Sequence, residues 1–304
     1  MPELEVRPFR RADRDQLTAL INAHVGAVVP GLALSVNTVL SSLERQPDEF
    51  ITDPWVVERV TLVAEQRRHV AAAAHLLRYR DDATVGADYR DAAEISWFVH
   101  RPAASFWPDA EKAADLLMAA CLAQLTRSRP RVCHADGALP APAVCGLPRP
   151  WPHIREAHRR AGFRHTGGTE VLLLAPVDEL PRPRPCREFA FERTLGECGT
   201  RITAYFRERA VAFIEVDTAL GRPERIGRSP GLADIGNLHI DAAVDGGDLA
   251  HQLLAQAAEW LRLSGVDRLL AYENAEDGRR LELMRAAGFR ELTRMERGWR
   301  MSTG

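Results

Sequence analysis

The strongest constraint on this chain is a local string that occurs twice. Arg160-Ala161-Gly162-Phe163-Arg164 and Ala286-Ala287-Gly288-Phe289-Arg290 each close a stretch of helical periodicity. In both, Gly stands where a helix end takes a left-handed residue, and the Phe that follows is placed to plug a core. Upstream, Ala93-Glu94-Ile95 and Ala233-Asp234-Ile235 each precede a helix-patterned segment in the same order. Matched landmarks in matched order read as an internal duplication. The first copy is longer between its landmarks, and the excess falls in a Pro-rich insertion at about 135–151, which a surface loop accepts cheaply.

The hydrophobic period alternates between strand-like and helix-like values along the whole chain, which predicts a mixed α/β fold with helices packed on the faces of a sheet. In the first half, strands are expected near 4–9, 92–99, 131–134 and 170–175, and a hairpin at 56–65 and 69–78 turning at Gln66-Arg67-Arg68. Helices are expected at 11–29, 36–45, 109–125 (capped by Asp109) and 153–161. In the second half, a hairpin is expected at 200–207 and 210–218, strands at 233–240, 269–273 and 291–299, and helices at 249–263 and 279–287. No first strand or helix pair is evident before the second hairpin. Alternating prolines in Asp178-Glu-Leu-Pro-Arg-Pro-Arg-Pro-Cys186 favour extended backbone and read as a linker. The expected domains are therefore 1–177 and 187–304, joined by 178–186.

Composition excludes some partners. With 46% apolar and 27% charged residues and a net charge of −2 over 304 residues, no basic stripe argues for nucleic acid. Lys112 is the one lysine among 40 basic residues. No leader pattern or long apolar run is evident, so a cytoplasmic chain with no membrane partner is expected. The five cysteines are irregularly spaced and read as reduced thiols. Cys133, His134, Cys145 and His153 lack paired metal-ligand spacing, so no metal is expected.

The string from Ala233 to Asp241, followed by a Gly-rich turn and Leu253-Leu254, resembles motif A of the GNAT acyl-CoA N-acyltransferase superfamily. Gly288-Phe289 resembles the end of its motif B. The resemblance covers nearly the whole chain and implies two tandem GNAT-like domains, each a mostly antiparallel twisted sheet with helices on both faces. It further implies acetyl-CoA as co-substrate and direct transfer to a small-molecule or peptide amine, by a monomer or homodimer.

In that family the fourth and fifth strands splay apart and expose backbone groups to the pantetheine arm, and amides at a glycine turn cradle the diphosphate. Carried onto this chain, the cofactor-binding candidates are Leu238, His239, Ile240, Gly246, Gly247, Leu249, Ala250, His251 and Asn274. Departures are plain. Asp245 stands in the Arg/Gln slot and Asp248 in a Gly slot, where carboxylates repel a diphosphate. In the first copy Phe106-Trp107-Pro108 and Glu111 replace the turn.

The family's strand carboxylate corresponds to Asp234 and Glu94, and a solvated strand-end residue is the competing reading. Its tyrosine acid corresponds to Met284 and His158, and of these only His can donate a proton. For His239, His251 and Asn274, packing or a turn cap competes with a cofactor role. A non-catalytic binding or scaffold protein is the competing reading of the whole chain.

Overall fold

The structure is a computed structural model that describes residues 4–45, 52–104, 108–218, 231–242, 244 and 246–302. The chain forms two compact units. Residues 1–168 with 295–304 belong to the first, and 169–222 with 229–294 to the second. Among the described residues, no helix is long and apolar enough to cross a membrane.

The first unit opens with Leu4–Pro8 (β1), helices Arg14–Val28 (α1) and Val36–Glu44 (α2), and the hairpin Val56–Gln66 (β2) and His69–Tyr79 (β3). Arg67 and Arg68 turn this hairpin with φ of 52° and 65°, a tight two-residue reversal whose twist matches that of the strands. Ala92–His100 (β4), Ala110–Leu125 (α3), Val132–Ala135 (β5), Leu147–Pro148 (β6), Pro152–Arg160 (α4) and Arg164–His165 (β7) follow. The sheet is completed by the last strand of the chain, Trp299–Ser302 (β15), which lies between β5 and β7. β4 is buried at every position, as expected of a central strand covered on both faces. Asp109 does precede α3, but its side chain gives the helix no cap. It accepts instead from Gln66 Nε2 at 2.8 Å.

The second unit begins with Thr169–Pro176 (β8), then Ala190–Gly196 (β9), Gly199–Phe206 (β10), Arg209–Asp217 (β11), Leu232–Ile240 (β12) and Gly246–Leu263 (α5). Arg268–Asn274 (β13), Gly278–Ala286 (α6) and Arg290–Glu296 (β14) complete it. The strand order is β14-β8-β13-β12-β11-β10-β9. All neighbours from β8 to β9 are antiparallel except β12 and β13. One face buries Ile202, Ala212, Ile214, Val216, Ala233, Leu269 and Ala271 with Leu253, Leu254, Ala257 and Leu261 of α5 in a single core.

Two sequence expectations change here. The strand expected to close the first domain, β8, pairs with β13 from Arg268↔Pro176 to Asn274↔Glu170. The single closing strand expected at 291–299 is two strands, β14 and β15. The Pro-rich stretch accordingly lies inside the second unit. Val177 and Leu180 are buried in that unit's core, and Arg262 Nη2 donates to their carbonyls at 2.9 and 2.7 Å.

The repeated string behaves identically in both units. Phe163 N donates to His158 O and Phe289 N to Met284 O, each at 3.0 Å, and Gly162 and Gly288 take φ of 93° and 105°. This is the six-to-one closure of a helix end, and only glycine adopts the left-handed backbone there without strain.

Candidate active site

In each unit two parallel strands start together and then part. In the second unit, β12 and β13 are paired from Leu232↔Arg268 to Asp234↔Leu270 and no further. A bulge follows directly, because Glu215 pairs with Asn237 while Val216 pairs with Ile235, leaving Gly236 over. A Cβ built on Gly236 would lie 2.4 Å from Cys198 Cβ, so the bulge needs glycine for the β9–β10 turn to close on it. Beyond the bulge, Gly236, Asn237 and His239 are exposed and Leu238 and Ile240 half-buried, and Gly246 and Gly247 open α5 a few residues later.

The face of this sheet opposite the helices is polar across β10, β11 and β12, whereas Leu270 and Leu172 on β13 and β8 are buried on it. Cross-strand register aligns Arg201, Glu215 and Asn237 in one row and Thr203, Phe213 and His239 in the next, with Asp217 beside Asp234. Asp234 accepts from Tyr272 Oη at 3.2 Å. Glu215 is fully buried and accepts from Asn237 Nδ2 and Arg201 Nε, both at 2.7 Å, and from the backbone N–H groups of Glu197 and Cys198. Burial works to raise its pKa, but these four donors outweigh burial and hold the carboxyl below its ordinary value. Burial and the nearby charges of Glu215, Asp234, Asp217 and Glu197 push the Cys198 thiol up, which keeps it protonated.

The candidates carried from the sequence separate onto different sides of this arrangement. Asp234 is half-buried on the polar face. His239 is on that same face, stacked on Phe213 at 5.5 Å and 3.4 Å from Asp241 Oδ1, and so does not share the helix side with Leu238 and Ile240. Leu249 and Ala250 are buried in the first turns of α5, with Asp248 exposed before them and His251 half-buried after. Asn274 is exposed, and its Oδ1 accepts from Glu276 N at 2.9 Å in the manner of a turn cap. Asp245, Phe106 and Trp107 lie outside the described residues. Met284 is fully buried.

Two residues escaped the sequence reading. Tyr272 carries a hydroxyl to Asp234, and Arg280 of α6 reaches Glu273 Oε2 on β13 (3.3 Å) and approaches Leu238 O on β12 (3.5 Å). Alternation along β13 from the partner of Asp234 would have found the tyrosine. No sequence signal would have marked the arginine, whose contacts depend on how α6 is set against the parting strands.

The first unit repeats the gap but fills it. β4 and β5 pair from Ala92↔Val132 to Ile95↔Ala135, and Ser96 is the bulged residue, since His75 pairs with Trp97 and Leu76 with Ile95. Ser96 O accepts from Ala138 N of the insertion at 2.7 Å, and Leu139, Val144, Leu147 and Trp151 of the same segment are buried. Glu94 is buried and accepts from Tyr79 Oη. Burial first, and then the charge of Asp136, push its carboxyl well above the ordinary range.

His158 is also enclosed. Its Nδ1 faces Ile154 O at 2.8 Å, its ring packs against Phe98, Phe163 and Trp299, and burial lowers its pKa to about 4. It is a buried imidazole of the first unit's core, held neutral at ordinary pH by that burial.

No family model matches the chain, and no curated protein matches it in sequence. Solved structures match its fold. One is a GCN5-related glucosamine N-acetyltransferase region of a fungal multi-domain β-N-acetylglucosaminidase, with a TM-score of 0.66 and 13% identity, covering 99% of this chain and 38% of that one. A tandem GNAT protein from the clavulanic acid biosynthesis pathway gives 0.65 and 13% identity over 99% of both chains. A GCN5-related N-acetyltransferase from Sphaerobacter thermophilus gives 0.62 and 13% identity over 99% of this chain and 96% of its own. Paired strands that part at a bulge thus occur twice in one chain, which has the tandem GNAT fold.

Proposed function

We propose that the chain is an acyl-CoA-dependent N-acyltransferase whose second unit takes the donor, acetyl-CoA, and passes its acyl group directly to an amine. The observation that carries this reading is the contrast between the two strand gaps. In the first unit Ala138 N of the insertion donates to the carbonyl of the bulged Ser96, and every residue of β4 is buried. In the second, β12 and β13 are paired no further than Asp234↔Leu270, and Leu238 and Ile240 beyond the bulge are half-buried. Two glycines without Cβ atoms open α5, where backbone N–H groups favour an anion.

The donor supplies an activated thioester. The chain's own residues do the rest. Leu238 and Ile240 present backbone groups along the gap, and Asp234 on the opposite, polar face takes up or positions the ammonium proton of the acceptor, steadied by the Tyr272 hydroxyl. Asp217 and Asp234 lie side by side across β11 and β12, and their carboxylates favour a cationic amine there, whereas the charge of Glu215 is already met by Arg201. The amine attacks the thioester carbonyl, and collapse releases the thiol without a covalent enzyme intermediate.

Titration calorimetry with acetyl-CoA tests donor binding, and no heat at millimolar ligand would end the reading for both units. Asp234→Asn is expected to leave acetyl-CoA affinity unchanged and to lower kcat by about a hundredfold, the scale of a lost general base. A second reading, a binding or scaffold protein of degenerate modules, draws support from the buried Met284 in the position of the family's tyrosine acid and from Asp248 in the first turn of α5.

A further inference from the structure

Arg280 occupies the gap on which the proposed function depends. Asp277 Oδ1 accepts from Arg280 N at 3.0 Å and so fixes the start of α6, from which the side chain reaches across the parting strands. Its Nε donates to Glu273 Oε2 on β13, and its Nη1 approaches Leu238 O on β12. Those strands are still paired at Asp234↔Leu270 and have separated by Leu238 and Glu273, so the guanidinium bridges them after their own hydrogen bonds have ended.

Glu273 explains why the guanidinium stays. Its side chain is 8% exposed, and burial raises its pKa while Arg280 opposes that rise. A buried carboxylate with a single cation beside it holds that cation firmly, because separating them leaves a charge uncompensated. Leu238 O is nevertheless one of the backbone acceptors along which the pantetheine arm would run.

We propose that Arg280 is a displaceable plug of the second unit's strand gap, so that entry of the donor exchanges the Arg280–Leu238 contact for one made by an amide N–H of the pantetheine arm. This rests on the reading of the second unit as the donor-binding one. The plug competes with the arm for the same carbonyl and the same space, and it sets the donor affinity of the native chain below what the backbone alone would give.

The test compares acetyl-CoA binding by calorimetry in the wild-type full chain, in Arg280→Ala, and in Arg280→Ala with Glu273→Gln, which also removes the carboxylate left unpaired. Melting curves establish that each variant is folded. The double variant is expected to bind acetyl-CoA about tenfold more tightly than wild type, the effect of removing one charged competitor for a hydrogen-bond acceptor. Unchanged affinity in a folded variant overturns the plug and leaves donor binding intact, and weaker affinity overturns it by making Arg280 a ligand. A folded double variant that takes no acetyl-CoA at millimolar concentration overturns the plug and the donor site of this unit together.

Discussion

His24, His100 and His158 are buried in the first unit, and the half-buried His153 joins them. His24 Nε2 is 3.2 Å from His153 Nε2, and the rings of His100 and His153 lie 4.7 Å apart, edge to face. Burial holds all four below the ordinary imidazole value of 6.5, with His24 at about 4 and His153 at about 3; the charges of Arg101 and Arg160 add to the effect on His24 and His100, and Asp115 opposes it at His100. The unfolded chain therefore binds more protons than the folded one as pH falls through 6.5. The stabilisation is complete above that pH and is lost toward pH 4, at roughly 1.4 kcal/mol per pH unit for each proton. The melting temperature should fall as pH drops from 7 to 5, and His24→Gln should flatten that slope. A residue-level change of another kind is Gly288→Ala, which forces φ of 105° on a side chain. A loss of about 1 kcal/mol or more is expected from denaturant midpoints, with the same result for Gly162→Ala.

The bulge at Gly236 offers a check on the elements. Gly236→Val drives a side chain into Cys198 of the β9–β10 turn, and a loss of about 1–3 kcal/mol in unfolding free energy is expected, with partial recovery when Cys198→Gly is added. That contact also shows what periodicity could deliver. The hairpins β2–β3 and β10–β11, the helices α3, α5 and α6, and the two Gly-Phe closures were legible, because each has a local pattern or turn chemistry. β9 was not, since none of its seven residues from Ala190 to Gly196 is buried and no alternation of buried and exposed positions results, Leu195 being 91% exposed. An edge strand paired to β10, with Phe191 half-buried against the core and Arg193 over the Trp260 ring, leaves little hydrophobic imprint. The strand position of Asp234 and the parting of β12 from β13 followed from the motif, whereas the contacts of Tyr272 and Arg280 depend on register and helix placement. The cover over Ser96 belongs to an insertion whose length could be read but whose path could not.

For the whole molecule, the informative fact is where the chain changes units. β8 follows the first unit's residues yet belongs to the second sheet, and β15 follows the second unit's residues yet belongs to the first. Cutting at the Pro-rich stretch is expected to yield a fragment 1–177 that carries β8 away from β13 and lacks β15 beside β5. Unpaired strand edges of this kind aggregate. Light scattering and circular dichroism should show that fragment insoluble or poorly folded, and a soluble, cooperatively melting fragment would contradict the assignment of β8 and β15.

That crossing has a consequence for inheritance. A half that stopped doing chemistry could not be discarded, because its partner borrows a strand from it and lends one in return. Mutation is then free to erode a catalytic groove while the polypeptide around it must be kept, and a filled gap can persist beside an open one for as long as the pair folds.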